Sequence, residues 1–423
     1  MPARSHRPVP MPLPPSVPSL ASSASHDEAI GRIADLASDV GLRRVHLLAW
    51  RDLDDPEAGG SEVHAATVAS TWAEAGIDVV MRTSFAAGHP PEIDRDGYRV
   101  VRRAGRYLLF PRAAMAEILR SHGPREAVVE IWNGMPFMSP VWTRSPKIVV
   151  LHHVHGEMWR MVLPPGLARL GNAIESRWAP AFYRDQRIVT LSESSKEEIV
   201  RDLGFSPSNV TVVPPGVDRR FCPDPSRTRY SGAPPPSVVA VGRLVPVKRF
   251  DVLIRACHEV RETVPDLRLT IVGQGYEHLK LQRLVNRLDA TGWIEFAHTI
   301  TDDELVNRYR AARVVASSSA REGWGMTLTE AAACGIPAVA TRIAGHTDAV
   351  DDGVSGLLAD DTAELVRHLR SVCTDDQLWA KLARGAQAHA ARFTWDATAV
   401  GLMDALAGEV ATVGRRGRAG RWR

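Results

Sequence analysis

The sequence predicts an α/β protein in which two Rossmann-like, doubly wound domains face each other across a cleft. Short apolar runs of strand length alternate with helical patterns along the chain. A Pro- and Gly-rich stretch at 214–236 interrupts this alternation near the middle, and the pattern then starts again. At 423 residues the chain is too long for one core. Because open α/β sheets bind ligands at the carboxyl ends of their strands, two facing sheets predict a bipartite site.

In the first half, the apolar run at 44–50 predicts the opening strand. A loop containing Gly59 and Gly60 follows, and a helical pattern then runs from about 61 to 75 and stops at a glycine. The remaining strands of this half are predicted at 77–82, 127–132, 147–151 and 187–191.

In the second half, a strand at 237–241 leads into a Gly-Arg turn, and the helical pattern at 250–262 follows it. Further strands are predicted at 267–272, 294–297, 314–316 and 338–340. The predicted divisions are a disordered Pro-rich leader (1–42), an N-terminal domain (43–218), a C-terminal domain (219–395), and a C-terminal helix that can pack back on the N-terminal domain, ending in a basic tail (396–423).

Composition places the chain among soluble globular proteins, with 44% hydrophobic and 24% charged residues. The formal charge of +3 comes from arginines at the two ends, so the body is mildly acidic and nucleic acid is not expected as a partner. The four cysteines are widely spaced, which favours reduced and mostly buried thiols. No apolar run is long enough to span a membrane, and the Pro-rich start lacks the apolar segment of a signal peptide. These features predict a cytoplasmic protein.

The segment from Glu322 to Glu330 has the clearest chemical content. Glycines at 323 and 325 precede a short helix that ends at Gly335, and such a glycine-rich helix start can bind a diphosphate. Two carboxylates beside it suit hydroxyl groups, because ionised carboxylates accept hydrogen bonds and repel phosphate. A sugar nucleotide carries both groups, although a solvated pair of glutamates at an ordinary turn explains the residues equally well.

Two other loops carry similar signals. Arg243 and Lys248 lie just past a predicted strand end, where they can neutralise a departing nucleotide; surface charge on a loop is the simpler alternative. Gly59 and Gly60 open the first helix of the N-terminal domain and form a second anion-friendly helix start, which is a weak signal by itself.

Taken together, these phrases make the chain resemble a family 4 retaining glycosyltransferase of the GT-B fold, over residues 44 to 400. Six phrases stand in the order in which the family has them, which makes the resemblance highly specific. They are Gly59-Gly60, Val213-Pro214-Pro215-Gly216-Val217-Asp218, Gly242-Arg243-Leu244 with Lys248, Val272-Gly273-Gln274-Gly275, Glu322 with Glu330, and Asp352-Gly353-Val354-Ser355-Gly356-Leu357-Leu358.

The resemblance implies roles for particular residues. Arg243 and Lys248 hold the donor's diphosphate, Glu322 binds hydroxyls of the transferred hexose, and Glu330 binds the ribose. The nucleotide-sugar site also includes Gly59, Gly60, Gly242, Gly273, Gly275, Gly325, Met326 and Thr327. The N-terminal domain then serves the acceptor. No cofactor is expected other than the GDP- or UDP-sugar donor.

The family also has a histidine at the end of an N-terminal strand, beside the anomeric carbon. His152, His153 and His155 compete for that place, and His152 or His153 is favoured. Family members retain anomeric configuration with the leaving phosphate as base, so stabilising the leaving group is the main task. That role needs no metal, and the adjacent pairs Asp54-Asp55 and Asp302-Asp303 are interpreted as exposed loop or helix-start charges.

The chain departs from the family at several positions. Trp324 replaces a phenylalanine, Arg249 stands where glycine is more frequent, and His346 stands where a second glycine is common. Asp348 lies near a position where many members have glutamate. These departures leave the class intact and leave the choice of base and sugar open.

The acceptor is less clear. Residues 99–125 contain seven arginines, one acid and a central Tyr-Leu-Leu-Phe, a composition that suits either contact with an anionic membrane or a solvated helix with a buried apolar anchor. The main hypothesis is a lipid-linked glycan or polysaccharide acceptor at the inner face of the cell membrane. The alternative is a small soluble acceptor such as a sugar or inositol phosphate.

Two other classes of protein are less compatible with the sequence. A nicotinamide-dependent oxidoreductase lacks support because no G-x-G-x-x-G follows a first strand with an acid about 20 residues later. A non-catalytic sugar-binding protein would not need Arg243, Lys248, Glu322 and Glu330 together.

Overall fold

The computed structural model describes residues 26–224 and 232–419, which form two α/β domains, each built on one sheet. The first sheet has eight strands in the order β3-β4-β2-β1-β5-β6-β7-β8, all parallel except the β3–β4 pair. Its strands are β1 (Arg44–Leu48), β2 (Asp78–Thr83), β3 (Glu92–Arg95), β4 (Tyr98–Arg102), β5 (Ala127–Trp132), β6 (Lys147–Leu151), β7 (Arg187–Thr190) and β8 (Val210–Val212).

Helices cover both faces of this sheet, which is the arrangement that the alternating pattern predicts. They are α1 (His26–Asp39), α2 (Gly60–Glu74), α3 (Leu109–Ile118), α4 (Ser139–Trp142), α5 (Met158–Val162), α6 (Pro165–Ala173), α7 (Ala179–Tyr183) and α8 (Glu193–Leu203). A π-helical turn at Ile174–Trp178 joins α6 to α7.

The second sheet has six parallel strands in the order β11-β10-β9-β12-β13-β14. They are β9 (Ser237–Val241), β10 (Arg268–Val272), β11 (Ile294–Ala297), β12 (Val314–Ser317), β13 (Ala338–Thr341) and β14 (Gly356–Ala359). The helices are α9 (Phe250–Arg261), α10 (His278–Arg287), α11 (Asp302–Ala311), α12 (Met326–Ala333), α13 (His346–Ala349), α14 (Thr362–Thr374), α15 (Asp376–Ala390) and α16 (Trp395–Ala419).

Sequence patterns missed four strands: β3, β4, β8 and β14. The β3–β4 hairpin has a recognisable signal, since Asp96 and Gly97 at its turn have φ angles of 45° and 83° and Asp-Gly is a preferred pair for such turns. The strands β8 and β14 have three and four residues, and each lies at an edge of its sheet.

The N-terminal boundary needs a correction. Residues 26–39, assigned above to a disordered leader, form helix α1, which buries Ala29, Ile33 and Ala37 in the core of the first domain. The rest of the predicted leader, residues 1–25, lies outside the described residues. Helix α1 packs against α16, a partner that is distant in sequence and that composition alone cannot supply.

The C-terminal helix α16 returns to the first domain. Met403 and Leu406 are fully buried in the core that also contains α1 and α2, and Trp72 Nε1 donates to the Ala399 carbonyl at 3.0 Å. The chain therefore passes between the domains twice, before β9 and before α16. The two passages are in contact, because a Cβ on Gly216 would lie 2.1 Å from the Trp395 nitrogen.

Candidate active site

The predicted carboxylate and ammonium meet at the carboxyl ends of the second sheet. Lys248 Nζ, in a 3₁₀ turn after β9, lies 2.5 Å from Glu322 Oε1, and Ser319 Oγ donates to the same oxygen at 2.7 Å. Burial alone would raise the pKa of Glu322, but the charge and the hydrogen bond of Lys248 hold it below its usual value. Glu322 is therefore an ionised acceptor, oriented by two groups that the fold brings to it.

Arg243 faces the glycine loop of the other domain. A Cβ on Gly59 would lie 3.8 Å from Arg243 Nε, and one on Gly60 would lie 2.8 Å from Met326 Sδ, so that the flexible end of the Met326 side chain would have to shift. Gly60 thus permits close approach of the helix α2 start to the helix α12 start. This contact across the cleft places two helix N-termini beside Arg243, an arrangement suited to an anion.

A second arginine, Arg51, which sequence reasoning missed, lies near Arg243. It follows β1, is buried, and donates to Glu62 Oε1 at 3.2 Å and to Glu57 Oε2 at 3.1 Å. Arg243 is exposed at the cleft surface, yet desolvation by its surroundings and then the charge of Arg51 lower its pKa. The position of Arg51 just after a strand end, ahead of Gly59, was the available sequence signal.

The glycines of the loops after β9 and β10 allow those loops to pack together. Gly242 and Gly273 have φ angles of 157° and 134°, and a Cβ on Gly273 would lie 2.1 Å from the Gly242 carbonyl oxygen. A Cβ on Gly275 would lie 2.3 Å from the Leu244 carbonyl oxygen. These glycines have a packing role in shaping the loop that presents Arg243.

Helix α12 begins beside this loop. Gly325, its N-cap, has a φ of 111°, and the first-turn N–H groups at Met326 and Thr327 have no acceptor within the helix. One turn further on, Glu330 Oε2 accepts a hydrogen bond from the Tyr309 hydroxyl at 3.0 Å. Burial raises the pKa of Glu330 to about 7, although the Tyr309 hydrogen bond opposes that shift. Glu330 is consequently poised to change protonation near neutral pH.

The structure separates the three histidines after β6. His152 is buried with its Nε2 3.5 Å from His64 Nδ1 on α2, and burial lowers the pKa values of these rings to about 4 and about 3. His153 instead faces residues 321–325, the loop before α12 that carries Glu322 and is called the glutamate loop below. A Cβ on Gly323 would lie 3.4 Å from His153 Nδ1. His155 stacks on His153 with ring centroids 4.7 Å apart and lies against Glu175. Of the three histidines, His153 is therefore the one whose ring faces the loop that carries Glu322.

The glutamate loop is tied to the first domain by polar contacts. Arg321 Nε donates to the Val154 carbonyl, and its guanidinium pairs with Glu198 at 3.1 Å. Ser192 and Ser195, at the start of α8, donate to the Gly323 carbonyl at 3.3 and 3.4 Å. The position of Glu322 therefore depends on both domains.

Asp348, one of the departures noted above, adds to this junction. It accepts hydrogen bonds from the Ser194 hydroxyl and from the Glu193 N–H at the start of α8. The Ser194 oxygen in turn accepts from the Gly345 N–H at 2.8 Å. A carboxylate at a helix N-terminus is favourably placed relative to the helix dipole, so Asp348 stabilises the contact between the domains.

The interpretation of Asp54-Asp55 as exposed charges is wrong, because Asp55 is buried and Asp54 is partly buried. Asp54 pairs with Arg95 and Arg102 of the missed hairpin, and Asp55 pairs with Arg106 at 3.1 Å. Asp302 and Asp303 are exposed in the first turn of α11, as predicted.

In the 99–125 segment, four of the seven arginines pair with carboxylates: Arg102, Arg103, Arg106 and Arg125. The anchor of the Tyr-Leu-Leu-Phe sequence is Leu109, which is fully buried, whereas Tyr107 is 80% and Leu108 62% exposed. Leu119 at the other end of α3 is also exposed. Helix α3 and its flanking residues thus combine one buried apolar anchor with an exposed apolar face. The two interpretations of this segment, a membrane contact and a solvated helix with a buried anchor, each describe only part of it.

Among the described residues, no three His, Cys, Asp or Glu side chains are grouped so that they could hold a metal ion. Across residues 26–224 and 232–419, no helix is both long and apolar enough to cross a membrane.

Two α/β domains that face each other across a cleft, with two helix starts and the Lys248–Glu322 pair at their junction, have the architecture of a GT-B glycosyltransferase. Solved structures share that fold over most of their length. Sucrose-phosphate synthase from Thermosynechococcus elongatus matches with a TM-score of 0.73 and 19% identity, covering 85% of this chain and 97% of that one. WaaG, a glycosyltransferase of lipopolysaccharide biosynthesis, matches with a TM-score of 0.64 and 18% identity, covering 82% and 95%.

The chain belongs to glycosyltransferase family 4. Residues 58–221 match the family model described as Glycosyltransferase Family 4, and residues 231–389 match the one described as Glycosyl transferases group 1. The D-inositol 3-phosphate glycosyltransferase of Streptomyces bingchenggensis is 35% identical, covering 92% of this chain and 93% of that protein. A GDP-mannose-dependent alpha-(1-6)-phosphatidylinositol monomannoside mannosyltransferase of Mycolicibacterium smegmatis is 33% identical over 63% of this chain and 72% of its own length.

Proposed function

We propose that this glycosyltransferase moves a hexose from a nucleotide sugar to a small phosphorylated acceptor such as an inositol phosphate, with retention of anomeric configuration. The arrangement of Lys248 and Glu322 carries the donor half of the proposal, because it places a cation for the diphosphate against an acceptor for sugar hydroxyls. The likeness to D-inositol 3-phosphate glycosyltransferases over nearly the whole chain favours the acceptor half.

The proposal assigns a separate role to each cation, each carboxylate and one histidine at the cleft. Arg243 and Lys248 hold the diphosphate and stabilise it as it leaves, assisted by the N–H groups at the start of α12. Glu322 accepts hydrogen bonds from the sugar, and Glu330 accepts them from the ribose. His153, whose ring lies beside Gly323, is the histidine that we assign to the neighbourhood of the anomeric carbon. The leaving phosphate takes the acceptor's proton, so transfer requires no protein-held metal.

The donor half is tested by thermal unfolding with UDP, GDP, ADP and their hexose derivatives. A ligand that binds only the folded state raises the melting temperature by mass action. We expect one nucleotide series to raise it in the wild type and to have a much weaker effect in Lys248→Ala. If no nucleotide sugar shifts the transition, the donor-site assignment is wrong.

The acceptor half is tested by transfer assays that offer inositol phosphate, free inositol and a sugar phosphate with the bound donor. We expect transfer to the phosphorylated acceptors and little to free inositol. Transfer to neither phosphorylated compound, together with normal donor binding, would overturn the acceptor assignment alone. The configuration of the product, read from its anomeric coupling, decides between retention and inversion.

A second candidate, a lipid-linked acceptor at the inner face of the membrane, is favoured by the outer face of α3. Exposed Tyr107, Leu108 and Leu119 lie on the same segment as the exposed Arg112 and Arg120, a combination suited to anionic lipid.

The membrane contact is tested by sedimentation with phosphatidylglycerol vesicles and with phosphatidylcholine vesicles. Binding to the anionic vesicles that Leu108→Ser weakens, and that Val354→Ser on the other domain does not, would support this candidate. Equal sedimentation with both kinds of vesicle, or with none, would exclude it. Val354 is a matched control because its side chain is also exposed.

A further inference from the structure

The buried imidazole of His346 has one nitrogen paired and one unpaired. Its Nδ1 lies 2.8 Å from the Thr341 carbonyl oxygen, while the Thr341 hydroxyl donates to the Ser319 carbonyl at 2.7 Å. The carbonyl can only accept, so His346 Nδ1 carries the proton and donates it. The other nitrogen, Nε2, is buried and has no hydrogen-bond partner.

This ring is neutral in its pocket. Burial lowers the pKa of His346. Glu322 acts to raise that pKa and Lys248 acts to lower it, and the net shift is downward. A neutral ring with its proton on Nδ1 presents a lone pair at Nε2, so the unpaired atom is an acceptor. A buried acceptor without a donor is destabilising, so a bound hydroxyl group that paired with it would stabilise the complex.

The unpaired nitrogen is closed to solvent and lies next to the helix start that the proposed donor site uses. A Cβ on Gly325, the N-cap of α12, would lie 3.1 Å from His346 Cδ2 and 3.6 Å from Nε2. The ring is also near Glu322, whose charge acts to raise the pKa of His346 against the effect of burial. Two acceptors, Glu322 and His346 Nε2, thus flank the N–H donors at the helix start. Phosphate oxygens would be repelled by both, whereas hydroxyl groups could donate to both.

We propose that His346 Nε2 accepts a hydrogen bond from one hydroxyl of the transferred sugar and so determines which nucleotide sugars this enzyme uses. The proposal rests on the donor site proposed above and adds a specificity-determining residue to it. His346 does not take part in bond breaking; it makes one hydroxyl of the hexose necessary. A donor without that hydroxyl leaves the buried acceptor unpaired, which is the basis of strong discrimination in sites built for hydroxyl groups.

Two substitutions separate the nitrogens. His346→Asn places an amide N–H near the position of Nδ1, so the bond to Thr341 can persist while the acceptor is lost. His346→Gln reaches further and can place its amide oxygen near the position of Nε2. His389→Asn is the matched control, because His389 is a buried histidine that contacts the Asp348 carbonyl at 3.2 Å and Arg392, away from Glu322.

The assay compares kcat/KM for the parent nucleotide hexose with that for its 2-, 3-, 4- and 6-deoxy analogues, using whichever of UDP-glucose and GDP-mannose the wild type binds. We expect the wild type to reject one deoxy donor about 10- to 100-fold, in addition to any donor that lacks a hydroxyl bound by Glu322. His346→Asn should lose that discrimination by becoming slower with the parent donor, His346→Gln should keep part of it, and His389→Asn should keep all of it. The affinity for the nucleoside diphosphate alone should be unchanged in all three.

The outcomes distinguish the two proposals. If the wild type binds nucleotide sugars and His346→Asn discriminates among the deoxy donors as the wild type does, the role of His346 is wrong and the donor site stands. If the wild type binds no nucleotide sugar, both are wrong. A loss of nucleoside diphosphate affinity in His346→Asn that equals its loss of sugar-donor affinity would show that the residue only supports the loop.

Discussion

Replacing Lys248 with methionine removes the ammonium group that faces Glu322 and keeps an apolar stem of similar length. The side chains of Lys248 and Glu322 are 23% and 17% exposed, so the pair is neither fully exposed nor fully buried. Exposed pairs contribute about 0–1 kcal/mol, and removal of one partner from a buried pair costs about 3–5 kcal/mol. For this partly buried pair we expect Lys248→Met to lower the free energy of unfolding by about 2 kcal/mol.

This loss corresponds to a small change in melting temperature. With an unfolding entropy of about 2.1 cal/mol/K per residue, 2 kcal/mol corresponds to about 2 °C if the whole chain unfolds together and to about 5 °C if the second domain unfolds alone. The difference from the wild type should shrink in acid. Because the pKa of Glu322 is lowered in the folded protein, the pair stabilises it above the unfolded pKa and loses that effect as pH falls through the folded value.

A double substitution separates the structural role from the chemical one. Lys248→Met/Glu322→Gln removes both charges, so no carboxylate is left without its partner, and the double variant should be more stable than Lys248→Met. Turnover should not recover with stability. Loss of one charge that stabilises the leaving diphosphate should reduce kcat about 10²- to 10³-fold in Lys248→Met, and at least as much in the double variant, which also lacks the Glu322 carboxylate.

The assays are thermal unfolding across pH and initial-rate kinetics with the donor identified by ligand-induced stabilisation. Near-normal turnover in Lys248→Met would remove Lys248 from the mechanism. A double variant no more stable than the single one would refute the argument that the ammonium compensates a buried carboxylate.

Other perturbations give equally direct tests. Because burial raises the pKa of Glu330 to about 7, its carboxyl lowers the free energy of unfolding as pH rises from about 4.5 to 7, by about 3 kcal/mol at most. Thermal unfolding of Glu330→Gln should lack this decline. A pH profile identical to that of the wild type would contradict the raised pKa. Gly60→Val should weaken donor affinity at least about 10-fold by displacing Met326. Calorimetry should find part of that affinity restored in Gly60→Val/Met326→Ala. Unchanged affinity in Gly60→Val would contradict the close approach of the α2 start to the α12 start. Treatment with EDTA should leave the initial rate of transfer unchanged, and a loss reversed by Mg²⁺ would show that a metal participates.

The sequence predicted the parts of the site that are local. Glycines that precede a helix, and cations that follow a strand, are adjacent in the chain, so the loops around Gly242 and Gly325 could be read directly. Arg51 follows a strand in the same way and was overlooked, whereas Ser319 has no such signal, because its importance comes from the Glu322 side chain that it meets. Asp54 and Asp55 were misread for the same reason, since their arginine partners belong to a hairpin that the strand pattern did not reveal.

Periodicity and turn residues determined by themselves that the chain has two doubly wound domains, because strand and helix periods are properties of neighbouring residues. The family followed from phrases that are also contiguous. Tertiary structure alone decided that His153 and not His152 faces the donor loops, that Asp348 joins the domains, and that His346 holds an unpaired acceptor beside Glu322. These facts depend on the direction in which a side chain points and on what another segment places beside it, and neither is encoded in the spacing of residues along one strand or helix.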